Sequence, residues 1–162
     1  MSEIVFDTAT LEDKEELLRL RIAYMKADFG SVSEYEEKCM RDRLPDYYDR
    51  RLGKDLIVFT ARDNGKIVAT AYLLVIEKPA SSLLHNGLCG EVLSVFTDDD
   101  YRHKGICTRL MQMLVDYAKE HDISRVDLMA TDDGYPVYKK VGFTDKVQKY
   151  KDMRIKFTDQ AT

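Results

Sequence analysis

Arg102, His103 and Lys104 stand together just ahead of Gly105, inside the run VLSVFTDDDYRHKGIC that covers residues 92–107. The run reads as a buried strand, a polar turn and the start of an amphipathic helix. Cations at a helix N-terminus oppose its dipole, at about 0.3–1 kcal/mol each on an exposed helix. An anion bound to the free N–H groups of the first turn reverses that cost, because those donors and the dipole both favour phosphate. Gly105 lets the backbone approach such an anion without a side chain in the way. A solvated basic loop is the competing reading of the same three residues. Neither a G-x-x-x-x-G-K-[ST] loop nor a dinucleotide fingerprint with three glycines is present.

Other reactive side chains carry less chemistry. Ser94 has no G-x-S-x-G context and is not read as a nucleophile. Cys107 falls at a packing position in the first turn of a helix, which suits a small apolar side chain better than an acyl carrier. Cys39, Cys89 and Cys107 are odd in number and not spaced as metal ligands, so no metal is expected and a reducing, cytoplasmic setting is. His85 and His121 read as surface residues, and Met111, Met113 and Met129 as core.

The elements that must position these groups follow from periodicity. Ile4–Phe6 reads as a first strand. Thr10 with Asp13 resembles a capping box for a helix to about Ala27, with Leu11, Leu18, Ile22 and Met25 on one face. Ser33 with Glu36 opens a second helix that Pro45 should kink or end. Leu56–Thr60 and Lys66–Ile76 form a hairpin around Asp63-Asn64-Gly65, and the second strand is apolar on both faces, as in a covered, central position. After a polar loop, Glu91–Thr97 is another strand, followed by an amphipathic helix over Lys104–Glu120. Arg125–Ala130 reads as a strand, Gly134–Val141 as a short helix, and Phe143–Tyr150 and Lys151–Phe157 as a closing pair of strands.

The 162 residues and net charge of −4 fit one globular domain spanning 1–162, with no broad nucleic-acid surface. The N-terminus shows no signal peptide, and the longest apolar stretch is too short to cross a bilayer.

Tyr101-Arg-His-Lys-Gly-Ile-Cys107 resembles the pyrophosphate-binding motif of the GNAT acetyltransferase superfamily: Arg or Gln, two residues, Gly, one residue, then Gly or Ala. Arg102 and Gly105 match, and Cys107 departs from the last position while remaining small. Val137-Tyr138-Lys-Lys-Val-Gly142-Phe143 resembles a second family segment, and the order of elements over residues 3–157 is similar; the chain resembles bacterial small-molecule members. The resemblance implies an α/β (α+β) fold: a mixed, mostly antiparallel sheet of about seven strands, splayed at a central cleft and flanked by about four helices. It implies acetyl-CoA as donor, contacted by Val95, Phe96, Thr97, Arg102, His103, Lys104, Gly105, Ile106, Cys107, Thr108 and Thr131. The backbone N–H of Val95 would polarise the thioester carbonyl. Glu91 would act as general base, with Asp132 and Asp133 as alternatives, and Tyr138 would protonate the departing thiolate.

The expected reaction is transfer of the acetyl group to an amine by direct attack in a ternary complex. Alternatives are an acetyl-CoA-sensing module without turnover and transfer of a different acyl group. By resemblance, residues 11–52, 77–90 and 143–157 build the acceptor site. There Tyr35, Tyr47 and Tyr48 accompany Glu34, Glu36, Glu37, Asp46 and Asp49, a set able to hold a cationic amine or simply to solvate a helix. The expected partners are acetyl-CoA and a small-molecule amine, with neither nucleic acid nor membrane. A homodimer is left open.

Overall fold

The computed structural model describes residues 2–158, so both ends of the 1–162 span lie outside the described residues. Five strands, β1 (Ile4–Thr8), β2 (Leu56–Asp63), β3 (Lys66–Glu77), β4 (Leu88–Thr97) and β5 (Arg125–Asp127), form one sheet in that spatial order. The first three pairings are antiparallel and β4–β5 is parallel. Four α-helices accompany it: α1 (Lys14–Phe29), α2 (Glu34–Arg51), α3 (Ile106–Glu120) and α4 (Tyr135–Lys140). The sheet has five strands where about seven were expected.

Helices cover both faces, which is why β3 carries apolar residues on both. On one face Leu17 and Leu20 of α1 and Tyr48 of α2 pack on Leu56, Val58, Ile67 and Tyr72. On the other, Ile106, Leu110, Met111 and Leu114 of α3 pack on Phe59, Ala61, Ala71, Leu73 and Val92. Leu110, Met111 and Leu114 are fully buried. Each such side chain contributes about 1.5–3 kcal/mol, so α3 is held by packing, and the backbone N–H groups of its first turn are left for other uses. Asn64 and Gly65, at φ +49° and +82°, close the β2–β3 hairpin as the sequence signals.

Four expectations change. The apolar face of α1 uses Leu17, Leu20 and Ile22, whereas Leu11 stands exposed in a 3-10 turn ahead of the helix. Proline 45 neither ends nor divides α2, which runs unbroken to Arg51. Buried packing of Tyr48 beyond the proline, with its hydroxyl 2.7 Å from that of Tyr72, outweighs the lost backbone bond. β5 stops at Asp127, so Met129 leaves the sheet and is 92% exposed. Residues 143–158 form no strand, and Met153, Ile155 and Phe157 are exposed.

Candidate active site

β4 feeds directly into the turn that precedes α3. Arg102 folds back over the strand end: its Nε donates to the Thr97 carbonyl at 3.1 Å and Nη2 lies 3.1 Å from Asp99 Oδ1. Lys104 sits 5.4 Å from the Tyr101 ring centroid, and the Tyr101 hydroxyl donates to Asp63 at the end of β2. The turn is thus tied to the hairpin as well as to β4. His103 and Gly105 have φ of +59° and +77°. Left-handed residues in a turn aim successive N–H groups to one side, which makes an anion-binding concavity.

The first helical hydrogen bond of α3 runs from Arg109 N–H to Gly105 C=O at 3.1 Å. The N–H groups of Ile106, Cys107 and Thr108 have no acceptor among the described residues, and the first turn holds no acidic side chain. Nothing lies within 4 Å of where a Gly105 Cβ would stand. Glycine is therefore needed there for its φ and for open approach, not to avoid a protein neighbour. These donors and the basic turn fit a pyrophosphate.

Further back, β4 carries a bulge. Thr70 pairs with Phe96 and Tyr72 with Leu93, so Ser94 and Val95 together oppose Ala71. Ser94 takes φ +47°, a conformation that costs energy outside glycine. Two bonds hold it there: its hydroxyl accepts from Arg21 Nη1, and its carbonyl accepts from Thr70 Oγ1 at 3.3 Å. The hydroxyl is therefore a structural partner of a guanidinium. A bulge breaks the ladder and re-aims the backbone beside it.

β4 and β5 pair only from Cys89–Arg125 to Glu91–Asp127 and then part. The gap is a cleft of about 650 Å³ lined by Glu91, Ser94, Val95, Leu128, Thr131 and Tyr138, among others. Arg21 and Tyr24 of α1 contribute a second wall. Glu91, Val95, Thr131 and Tyr138, separated by up to 47 positions in sequence, therefore share one opening. Asp132 and Asp133 are exposed and do not line it. Phe96, Thr97 and residues 102–108 lie outside it, at the α3 end of the strand.

Tyr138 comes from α4 and is 8% exposed. Its ring packs edge-on to Phe143, with centroids 6.1 Å apart, and rests against Gly134, one turn earlier. Burial pushes its phenol well above the usual tyrosine value, helped by the neighbouring Cys107 and Tyr24. Burial likewise pushes the Cys107 thiol up, which opposes formation of a thiolate. Thr131 caps α4, accepting from Gly134 N–H at 3.2 Å on Oγ1 and from Tyr135 N–H at 3.0 Å on its carbonyl.

A sequence model described as the Acetyltransferase (GNAT) family matches residues 17–143. This chain belongs to the GNAT acetyltransferase family. No curated protein sequence matches it. Among solved structures, a predicted acetyltransferase with acetyl-CoA from Clostridium acetobutylicum is 27% identical, with a TM-score of 0.80 over 94% of this chain and 96% of that one. A GCN5-related N-acetyltransferase from Ralstonia eutropha JMP134 is 23% identical, with a TM-score of 0.77 over 93% and 99%, and supports the fold.

This GNAT chain has a second cavity, of whose lining the sequence singled out only Asp46 and Tyr47. About 490 Å³ in volume, it lies between α1, α2 and the face of β3–β4, and Arg21 and Leu93 line both it and the cleft. The acids and tyrosines of α2 are mostly engaged elsewhere. Glu36 accepts the Ser33 N–H, Glu37 pairs with Lys26, Asp49 with Lys14, and Tyr48 is buried. Tyr47 lines the cavity, whereas Tyr35 is exposed and does not. His85 and His121 are exposed, as expected. Among the described residues no cluster could hold a metal ion, and no helix is long and apolar enough to cross a membrane.

Proposed function

We propose that the chain is an N-acetyltransferase that passes the acetyl group of acetyl-CoA directly to an amine within a ternary complex. Acetyl-CoA supplies an activated thioester. The N–H groups of Ile106, Cys107 and Thr108, with His103 and Lys104 beside them, hold its pyrophosphate. Arg102 serves this site by fixing the turn, through Nε on Thr97 and Nη2 on Asp99. The bulge carries the proposal furthest. It frees backbone at Ser94–Val95 inside the cleft, where the Val95 N–H can polarise a carbonyl; one such donor in a water-excluded site is worth about 10²–10³ in rate.

Glu91 lines the same cleft and takes the proton that an alkyl amine carries at neutral pH. Tyr138 faces the departing sulfur. Its raised pKa keeps the phenol protonated across the working range. That same shift makes full proton delivery to a thiolate, whose acid titrates near ~8.5, less favourable. Its contribution is therefore weighted toward a hydrogen bond that stabilises the thiolate as it forms. Thiol release from acetyl-CoA with pooled primary and secondary amines tests the reading. Amine-dependent release is expected; acetyl-CoA binding with no release from any amine would refute transfer.

A further inference from the structure

The cavity between α1, α2 and β3–β4 has a charge balance that its residue names conceal. Arg21, Arg43 and Arg50 line it together with Asp42 and Asp46. Both acids are already neutralised along α2: Asp46 pairs with Arg50 at 2.8 Å and Asp42 with Lys38, each one helical turn away. Neither Arg21 nor Arg43 has an acidic partner within ion-pair distance among the described residues. Two guanidinium charges are thus left to the cavity.

Arg21 is the more informative of the two. It is half-buried, it lines both the cavity and the cleft, and its Nη1 is anchored on Ser94 in the bulge. A guanidinium has five N–H donors in a planar fork, and this anchor uses one nitrogen, leaving other donors available. Glu91, on β4, lines the same cleft without pairing to it. A cation next to the bulge and a carboxylate on the same strand complement a zwitterion, not a simple cation.

We propose that the acceptor is an amine bearing a carboxylate close to its amino group, as in an α-amino acid. Arg21 binds the carboxylate and Arg43 adds attraction at the cavity mouth. The inference rests on the acetyl-transfer reading for its chemistry, but its charge recognition can be measured without turnover. The probes are L-leucine, L-phenylalanine, L-methionine and L-glutamine, each with its carboxamide and its decarboxylated amine. Thermal shifts of the coenzyme A-saturated protein report binding, and thiol release with acetyl-CoA reports transfer.

At least one free acid should raise the melting temperature and be preferred over its amide by on the order of tenfold or more, the size of one charge-assisted hydrogen bond. Arg21→Gln should erase that preference, Arg21→Lys should restore part of it, and Arg43→Gln should weaken it while leaving the bulge untouched. Equal response to acid and amide, a preference for decarboxylated amines, or no response to any free acid would overturn the proposal. Carboxylate-selective thermal shifts with no thiol release would instead refute transfer and leave the recognition standing.

Discussion

Gly134→Ala tests the placement of Tyr138 while leaving its phenol chemically intact. Gly134 has φ −79° and ψ −25°, so alanine is acceptable to the backbone. The obstacle is the ring. A Cβ built on Gly134 stands 2.7 Å from Tyr138 Cε2 and 3.1 Å from both Cζ and the hydroxyl oxygen. Ordinary contact begins at 3.4 Å, so Cε2 must retreat by about 0.7 Å. Phe143 blocks one escape, because it already packs edge-on against the ring. Overpacking of this kind costs about 1–3 kcal/mol of stability. A catalytic group displaced by close to 1 Å can lose about 10²-fold in rate. We expect kcat to fall by roughly ten- to a hundredfold, with the KM for acetyl-CoA changed little. Steady-state kinetics of Gly134→Ala, Tyr138→Phe and the double variant make the comparison. If Tyr138 acts on the leaving sulfur, the double variant loses no more than Tyr138→Phe alone. Wild-type kcat in Tyr138→Phe, or losses that multiply in the double variant, would refute the reasoning.

Glu91→Gln should lower kcat by about 10²–10³-fold at neutral pH and recover partly as pH rises and free amine accumulates; an unchanged rate at pH 7 removes Glu91 as base. Gly105→Ala forces a side chain into φ +77° and should cost about 1–2 kcal/mol in urea unfolding while raising the KM for acetyl-CoA; wild-type values for both would contradict the role given to the turn. Asp13 accepts from Arg62 Nη2 at 2.8 Å, and that hydrogen bond holds its carboxyl below the usual value against the opposing effect of burial. A depressed carboxylate contributes stability above its unfolded value and loses it as pH falls through the folded one. Asp13→Asn should therefore be less stable at pH 7 by about 1–3 kcal/mol, with the gap closing as pH falls below about 3.9. A gap that does not shrink at all between about pH 5 and pH 2.5 would show that the pair is not its source.

The strand–turn–helix around Arg102 and Gly105 was legible because its signals are local: an apolar run, a basic turn, one glycine and a helical period. The hairpin at Asn64–Gly65 was legible for the same reason. Pro45 does not end α2 because a local rule met tertiary packing, with Tyr48 buried beyond it and Leu44 and Tyr47 partly buried alongside. Residues 151–157 alternate as a strand would, yet alternation names a face without naming a partner. The three-residue β5 offers little edge. Arg21 escaped notice because no spacing rule marks it. Its meaning comes from Ser94, 73 positions away, and from carboxylates on α2 that are already paired. The bulge at Ser94–Val95 was equally hidden, since one surplus residue in a strand leaves no compositional trace.

A crystal structure of the chain with acetyl-CoA bears most directly on the central claim. The pyrophosphate should lie against the N–H groups of Ile106, Cys107 and Thr108, with the thioester carbonyl within about 3 Å of the Val95 N–H. Acetyl-CoA bound away from the start of α3, or a thioester outside the opening between β4 and β5, would contradict it.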